Sequence, residues 1–189
     1  MYVTSIVMRT FLSLFSRLIA LVPRSRAGRV REVAVLPAVR KQSGLEYVDY
    51  TDAFLIEPGL AADETPEQWA RAFFEGAPAL LRTMLRRGWA SLGLRIGPAD
   101  SEDRVFGWPV RRSTRDVLLL GAESRHGMPA ELLFMRHQNA LLFATLIHHQ
   151  NAGVRARWAG VAPMHRRIVR FMLERASARR AEQRNGSDE

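Results

Sequence analysis

Residues Asn151 to Leu173 read NAGVRARWAGVAPMHRRIVRFML. This stretch decides the fold, because it closes a run of extended segments with one long amphipathic element. An apolar, strand-like run ends just before it at His148-His149. Asn151-Ala152-Gly153 reads as a turn, followed by an Arg/Trp segment. Pro163 and His165 then open a helix expected over about 163–179, with Met164, Ile168, Phe171 and Met172 as its apolar stripe.

Working back toward the N-terminus, four strand candidates precede that helix: Phe106–Ser113, Asp116–Ala122, Pro129–Gln138 and Ala140–His149. Gly121, Gly127 and Gln138-Asn139 punctuate them. Before them, Thr65-Pro66-Glu67 starts a helix, with Thr65 as cap and Pro66 in the first turn. Gly76-Ala77-Pro78 breaks it, and a second helix covers about Ala79 to Leu92. Tyr47–Ile56 is rich in aromatic and β-branched residues and reads as a strand. Val33–Val39 reads as a short extended piece. The order is strand, helix pair, four strands, long helix. Sequential strands favour an antiparallel meander, so the expected class is α+β, with a curved sheet gripping the C-terminal helix around a cavity.

The ends of the chain differ from its middle. The net charge of +9 belongs wholly to residues 1–31, with six Arg and no acid, and residues 163–189, with seven Arg against four acids. The intervening body is neutral, which argues against a nucleic-acid-binding face. Met1 to Val22 carries Val3, Val7, Phe11, Leu14, Leu18 and Val22 at helical spacing. Arg9 and Arg17 interrupt it, so it is a poor membrane span and a poor signal peptide; a helix lying on an anionic membrane surface fits better. Pro23–Arg31 reads as a linker. The expected organisation is therefore an extension and linker over 1–31, a domain over 32–179 and a disordered tail over 180–189. The chain has no cysteine, which excludes thiolate chemistry and disulfides.

Asp49–Phe54 (DYTDAF), the helical pair Glu67–Leu85 (EQWARAFFEGAPALLRTML) and the closing Asn151, Gly153, Pro163, His165, Arg166, Ile168 pattern resemble the DUF2867 family. This bacterial family is allied by fold to the SRPBCC, or START-like polyketide cyclase, group. The resemblance spans about Val33 to Leu173, and it departs from the family pattern by a shifted arginine in Arg155–Trp158. It implies the helix-grip fold. It implies no single reaction, since members of the wider group bind lipids, carry ligands or catalyse cyclisation.

Five histidines are the side chains suited to proton transfer near neutral pH. His165 is expected on the core side of the last helix, at the mouth of the grip, where it would orient a ligand or brace Asn151. Adjacent His148 and His149 point to opposite faces, so only one looks into the cavity. His137, at the end of the preceding strand, would approach one of them across a hairpin. Trp108 would line the pocket, and Arg155 would meet an acidic ligand head. Asp49 and Asp52, three apart on a strand, are not expected to form a dyad. The acidic loop of Asp100, Glu102 and Asp103 reads as a solvated turn. No metal-ligand motif, phosphate-cradling loop or nucleophile elbow is present, and no cofactor is expected.

The expected function is binding of an apolar or amphipathic small molecule, with a lipid among the candidates. Trp108, His137, His149, Arg155 and His165 form the ligand-binding set, at the inner face of the cytoplasmic membrane. Two alternatives stand beside it. One is a cyclase- or dehydratase-like enzyme with His165 and one of His137 or His149 as acid–base. The other is a homodimeric interaction protein, suggested by the two-sided apolarity of Ala140–Ile147, with Phe143 and Ile147 as its contact residues.

Overall fold

The computed structural model describes residues 29–57, 64–99 and 101–185. The expected surface helix over Met1–Val22, most of the linker, and Asp100 lie outside the described residues.

The elements in chain order are β1 (Arg29–Glu32), α1 (Pro37–Gln42), β2 (Tyr50–Glu57), α2 (Pro66–Glu75), α3 (Ala79–Ser91), β3 (Arg104–Val105), β4 (Trp108–Ser113), β5 (Val117–Ala122), β6 (Ala130–His137), β7 (Ala140–Ile147) and α4 (Ala152–Asn185). The strands form one sheet in the order β1-β2-β7-β6-β5-β4-β3, antiparallel at every neighbouring pair. The fold is therefore α+β, an antiparallel meander whose last strand, β7, returns to pair with β2.

Local chemistry accounts for most boundaries. Thr65 caps α2 through a reciprocal box: its side chain accepts from Gln68 N at 3.3 Å, and Gln68 Oε1 accepts from Thr65 N at 2.8 Å. The strand expected over Phe106–Ser113 starts at Trp108, because Phe106-Gly107 is the two-residue turn between β3 and β4, with φ +53° and +85°. Phe106 is held in that unusual conformation by stacking on Phe74 at 5.2 Å.

Three expected boundaries move. Residues 29–31 are strand rather than linker: β1 pairs with β2 from Arg29↔Glu57 to Glu32↔Phe54, and Val30 packs on the core. An edge strand keeps charged residues, so its composition imitates a linker. The expected extended piece at Val33–Val39 turns helical at Pro37, which sits in the first turn of α1. Finally, α4 begins at Ala152 rather than Pro163 and continues through residues 180–185, which were assigned to the tail. Asn151 Oδ1 accepts from Val154 N at 2.9 Å, so Asn-Ala-Gly is a helix cap. Pro163 lies inside the helix, exposed, where its missing N–H leaves the carbonyl four residues earlier without its intrahelical partner.

The sheet is covered on both faces. On the inner face, Phe54, Ile56, Leu118, Leu120, Phe134 and Phe143 pack under α2, α3 and α4. Phe73 of α2 contacts the rings of Phe134 and Phe143 at 5.6 and 5.4 Å. On the outer face, Leu55, Leu133, Leu142, Ala144 and Leu146 pack under the strap formed by residues 33–48, with Val39 completely buried. Glu131 ties this strap down: its buried carboxylate accepts from Ser43 Oγ at 2.6 Å and from Gly44 N at 3.0 Å. All eight residues of β7 are buried as a result. The two-sided apolarity that suggested a dimer surface is thus met within the chain, and Phe143 and Ile147 both belong to the inner core.

Candidate functional site

Strand alternation sets Tyr50, Asp52, Phe54 and Ile56 on one side of β2. Phe54 and Ile56 belong to the inner core, so Asp52 is carried beneath α4, where it is 4% exposed. The β2–β7 register places Thr145 directly opposite it. The helix supplies the other half. Trp158 and His165 lie two turns apart on the side of α4 that buries Val154, Ala162 and Ile168.

These five residues form one polar cluster in an apolar interior. Tyr50 Oη donates to Asp52 Oδ2 at 2.7 Å. His165 Nε2 lies 3.3 Å from the same oxygen and 3.0 Å from Thr145 Oγ1. The Trp158 ring sits edge-on to Tyr50 and tilted against His165, both at 5.1 Å between centroids. Asp52 Oδ1 and Trp158 Nε1 are buried without a hydrogen-bond partner among the described residues.

The protonation states follow. Burial pushes the Asp52 carboxyl up, but attraction to His165 and hydrogen bonds from His165, Tyr50 and Thr145 outweigh it. The net value falls below the ordinary carboxylate range. Burial, then the adjacent Asp52 charge, pushes the Tyr50 phenol far above its usual value, so Tyr50 remains a donor. An ionised carboxylate only accepts, so His165 Nε2 carries the proton that faces it. The His165 side chain is 19% exposed, so the ring reaches the rim while Asp52 stays inside.

A second cluster lies nearby, where β7 runs into α4. Asp49 Oδ2 accepts from His149 N at 2.7 Å and pairs with His148 Nδ1 at 2.8 Å; Arg155 stands 3.5 Å from Oδ1. The His149 backbone N–H, then the His148 hydrogen bond, hold Asp49 below its ordinary value. Burial lowers His149, whose Nε2 has no partner. Asp49 and Asp52 therefore do not form a dyad; each engages its own histidine.

The structure separates the expected site residues. His165 alone belongs to the inner cluster, and it bonds Thr145 and Asp52 rather than bracing Asn151. His149 and Arg155 belong to the Asp49 cluster. His137 pairs with Ala140, at the end of the β6–β7 hairpin remote from His148 and His149, with seven residues of strand between. That is roughly 23 Å at ordinary strand rise, so the expected approach across the hairpin does not occur. Trp108 is buried against Trp89, 5.3 Å between centroids, below α3. Reasoning from residue type missed Tyr50, Asp52, Thr145 and Trp158. The available signal was an acid in the alternating Tyr50-x-Asp52-x-Phe54-x-Ile56 pattern, where the neighbours demand burial.

Two surface grooves lie elsewhere. One of about 380 Å³ runs between α2 and α4, bordered by Arg71, Glu75, Gly76 and Arg179. The other, about 480 Å³, lies on the outer sheet face beside the strap. Among the described residues, no cluster of three or more His, Asp or Glu is placed to hold a metal ion, and no helix is long and apolar enough to cross a membrane. No family model, curated protein or solved structure matches this chain.

Proposed function

We propose that this chain is a helix-grip domain of the DUF2867 kind. It binds an apolar or amphipathic small molecule between the inner sheet face and the first half of α4, with His165 as the polar anchor. The carrying observation is the Asp52–His165 pair. A buried ion pair is a poor device for stability, since well-packed apolar residues serve as well or better. Asp52 and Thr145 both hold His165 Nε2, and Tyr50 in turn holds Asp52, so three residues converge on orienting one partly exposed imidazole. The element order and the return of β7 to β2 support the helix-grip reading. Access for a ligand comes from movement of α4 before Pro163, where the helix lacks a backbone hydrogen bond. The basic, apolar N-terminal extension places the domain on the cytoplasmic face of an anionic membrane.

Native mass spectrometry of the protein from its own host, followed by denaturing extraction, tests this reading. A stoichiometric apolar or amphipathic molecule supports it, and loss of that molecule in His165→Ala assigns the anchor. Clean apo protein overturns a tight carrier.

The same pair favours a second reading, an acid–base enzyme of the cyclase or dehydratase kind. A carboxylate that fixes the tautomer of an imidazole also prepares a general base. His165→Ala would then lower turnover by at least about 10²-fold, whereas a binding module shows only altered affinity.

A further inference from the structure

The outer face of the sheet carries a second site, independent of the inner cluster. The strap covers β2, β7 and part of β6, and its residues 41–45 border the groove of about 480 Å³. That volume is within the ordinary range of small-molecule pockets. Its floor is Leu119 and Gly121 of β5, with Leu45 on the strap side; the side chains of Ala122 and Ala130 belong to the inner core.

The charges around this groove do not cancel. Glu131 is occupied by Ser43 Oγ and Gly44 N, and Glu123 by Arg111 at 3.1 Å. Arg112 has no carboxylate partner among the described residues. Its Nη2 donates to Gln42 O at 2.9 Å and Gln42 Oε1 at 2.8 Å, which fixes the guanidinium beside the strap with its other N–H groups uncommitted among the described residues. Lys41, the next residue along the strap, is exposed and likewise has no acidic partner among the described residues. Two cations thus stand beside Leu119 and Leu45. Gly121 keeps that floor low: a Cβ there would stand 2.9 Å from Arg111 Cγ, whose stem lies flat across it.

We propose that this groove binds a small organic carboxylate, the anion held by Lys41 and the fixed guanidinium of Arg112 and the apolar portion lying on Leu119 and Leu45. A planar guanidinium suits a carboxylate's paired oxygens, and anchoring to Gln42 removes much of its conformational cost.

Titration of ¹⁵N-labelled full-length chain with sodium hexanoate tests the site. Saturable amide shifts are expected at Gly44, Gly121 and Ala122. Lys41→Glu, whose side chain makes no internal bond, should weaken binding at least about tenfold, the scale of one charge-assisted contact. Arg112→Gln should act in the same direction, and thermal melting establishes that each variant is folded. Hexylamine should shift nothing at these residues. The proposal is overturned if hexanoate shifts none of them, if Lys41→Glu binds as well as the parent, or if inorganic phosphate saturates the same signals equally well. Shifts confined to Trp158 and His165 would overturn the groove while leaving the inner site standing.

Discussion

Replacing Asp52 and His165 separately and together measures what their pairing contributes. In His165→Leu the Asp52 carboxylate stays inside the sheet, 4% exposed, with Tyr50 and Thr145 as its remaining donors. Breaking a buried pair costs about 3–5 kcal/mol, and the surviving donors together with the partial exposure of the ring place this variant near about 3 kcal/mol. Asp52→Val leaves the imidazole with Thr145 and a half-buried Tyr50 hydroxyl without its acceptor, for a loss of about 1–2 kcal/mol. The double variant removes both polar groups and the desolvation that each requires, so it should lie within about 1 kcal/mol of the parent. Additive behaviour would instead give a loss of about 4–5 kcal/mol, so the expected coupling is about 3 kcal/mol. Urea denaturation followed by tryptophan fluorescence reads this, since Trp158 touches the His165 ring. In heating, His165→Leu should melt roughly 6–12 °C lower, at about 2–4 °C per kcal/mol for a chain of this size. A double variant as unstable as the sum of its parts would refute the reasoning, because the network would then hold the fold rather than serve a site.

Acidification should destabilise the fold in two windows. Asp49, Asp52 and Glu67 have folded values below their unfolded ones. Their contribution is complete above about pH 4 and is lost as the pH falls through the lowered values. Burial also lowers His149, whose contribution begins to fade below about pH 6.5; a melting temperature that rises from pH 7 to pH 5 would contradict the histidine window, and one that rises as the pH falls below about 4 would contradict the carboxylate window. Asn151→Ala removes the cap of α4 and should cost about 1 kcal/mol in urea unfolding. Pro163→Ala restores an intrahelical hydrogen bond at an exposed position and should stabilise by about 1–3 kcal/mol. If α4 before Pro163 moves to admit a ligand, the same variant should slow ligand association. Glu131→Ala leaves Ser43 and Gly44 without their acceptor, so amide exchange at Gly44 and Leu45 should rise at least about tenfold, matching the roughly 1.5–3 kcal/mol of bonds to a charged group.

Where local chemistry dictated structure, the sequence was readable. The Thr65 cap with Pro66 in the first turn, the Gly76-Ala77-Pro78 break and the β-rich runs between Trp108 and Ile147 all specify themselves within a few residues. Pro163 misled, because proline so often opens a helix that an interior one hides the eleven residues before it. β1 misled for the opposite reason: an edge strand is obliged to look polar. The two-sided apolarity of β7 was visible, but its cause was not, since the covering strap lies about a hundred residues earlier. The polar cluster fell between these cases. His165 stood out by residue type, whereas Asp52 acquires its meaning only when β7 brings Thr145 beside it and α4 closes above.

The pairing of β2 with β7 also governs how the chain can be assembled. Tyr50 must find Ile147, yet nearly a hundred residues separate them, and β7 is the last strand to be made. During synthesis the β3–β6 meander and the α2–α3 pair can form from local contacts, while β2 waits with Ala53 to Ile56, four successive apolar residues, uncovered. A nascent chain therefore carries two unsatisfied edges, those of β2 and β6, until one strand fills the gap between them. Long-range closure of this kind is slow and open to association with other chains. Truncation anywhere before residue 147 should consequently yield aggregates rather than a smaller stable domain.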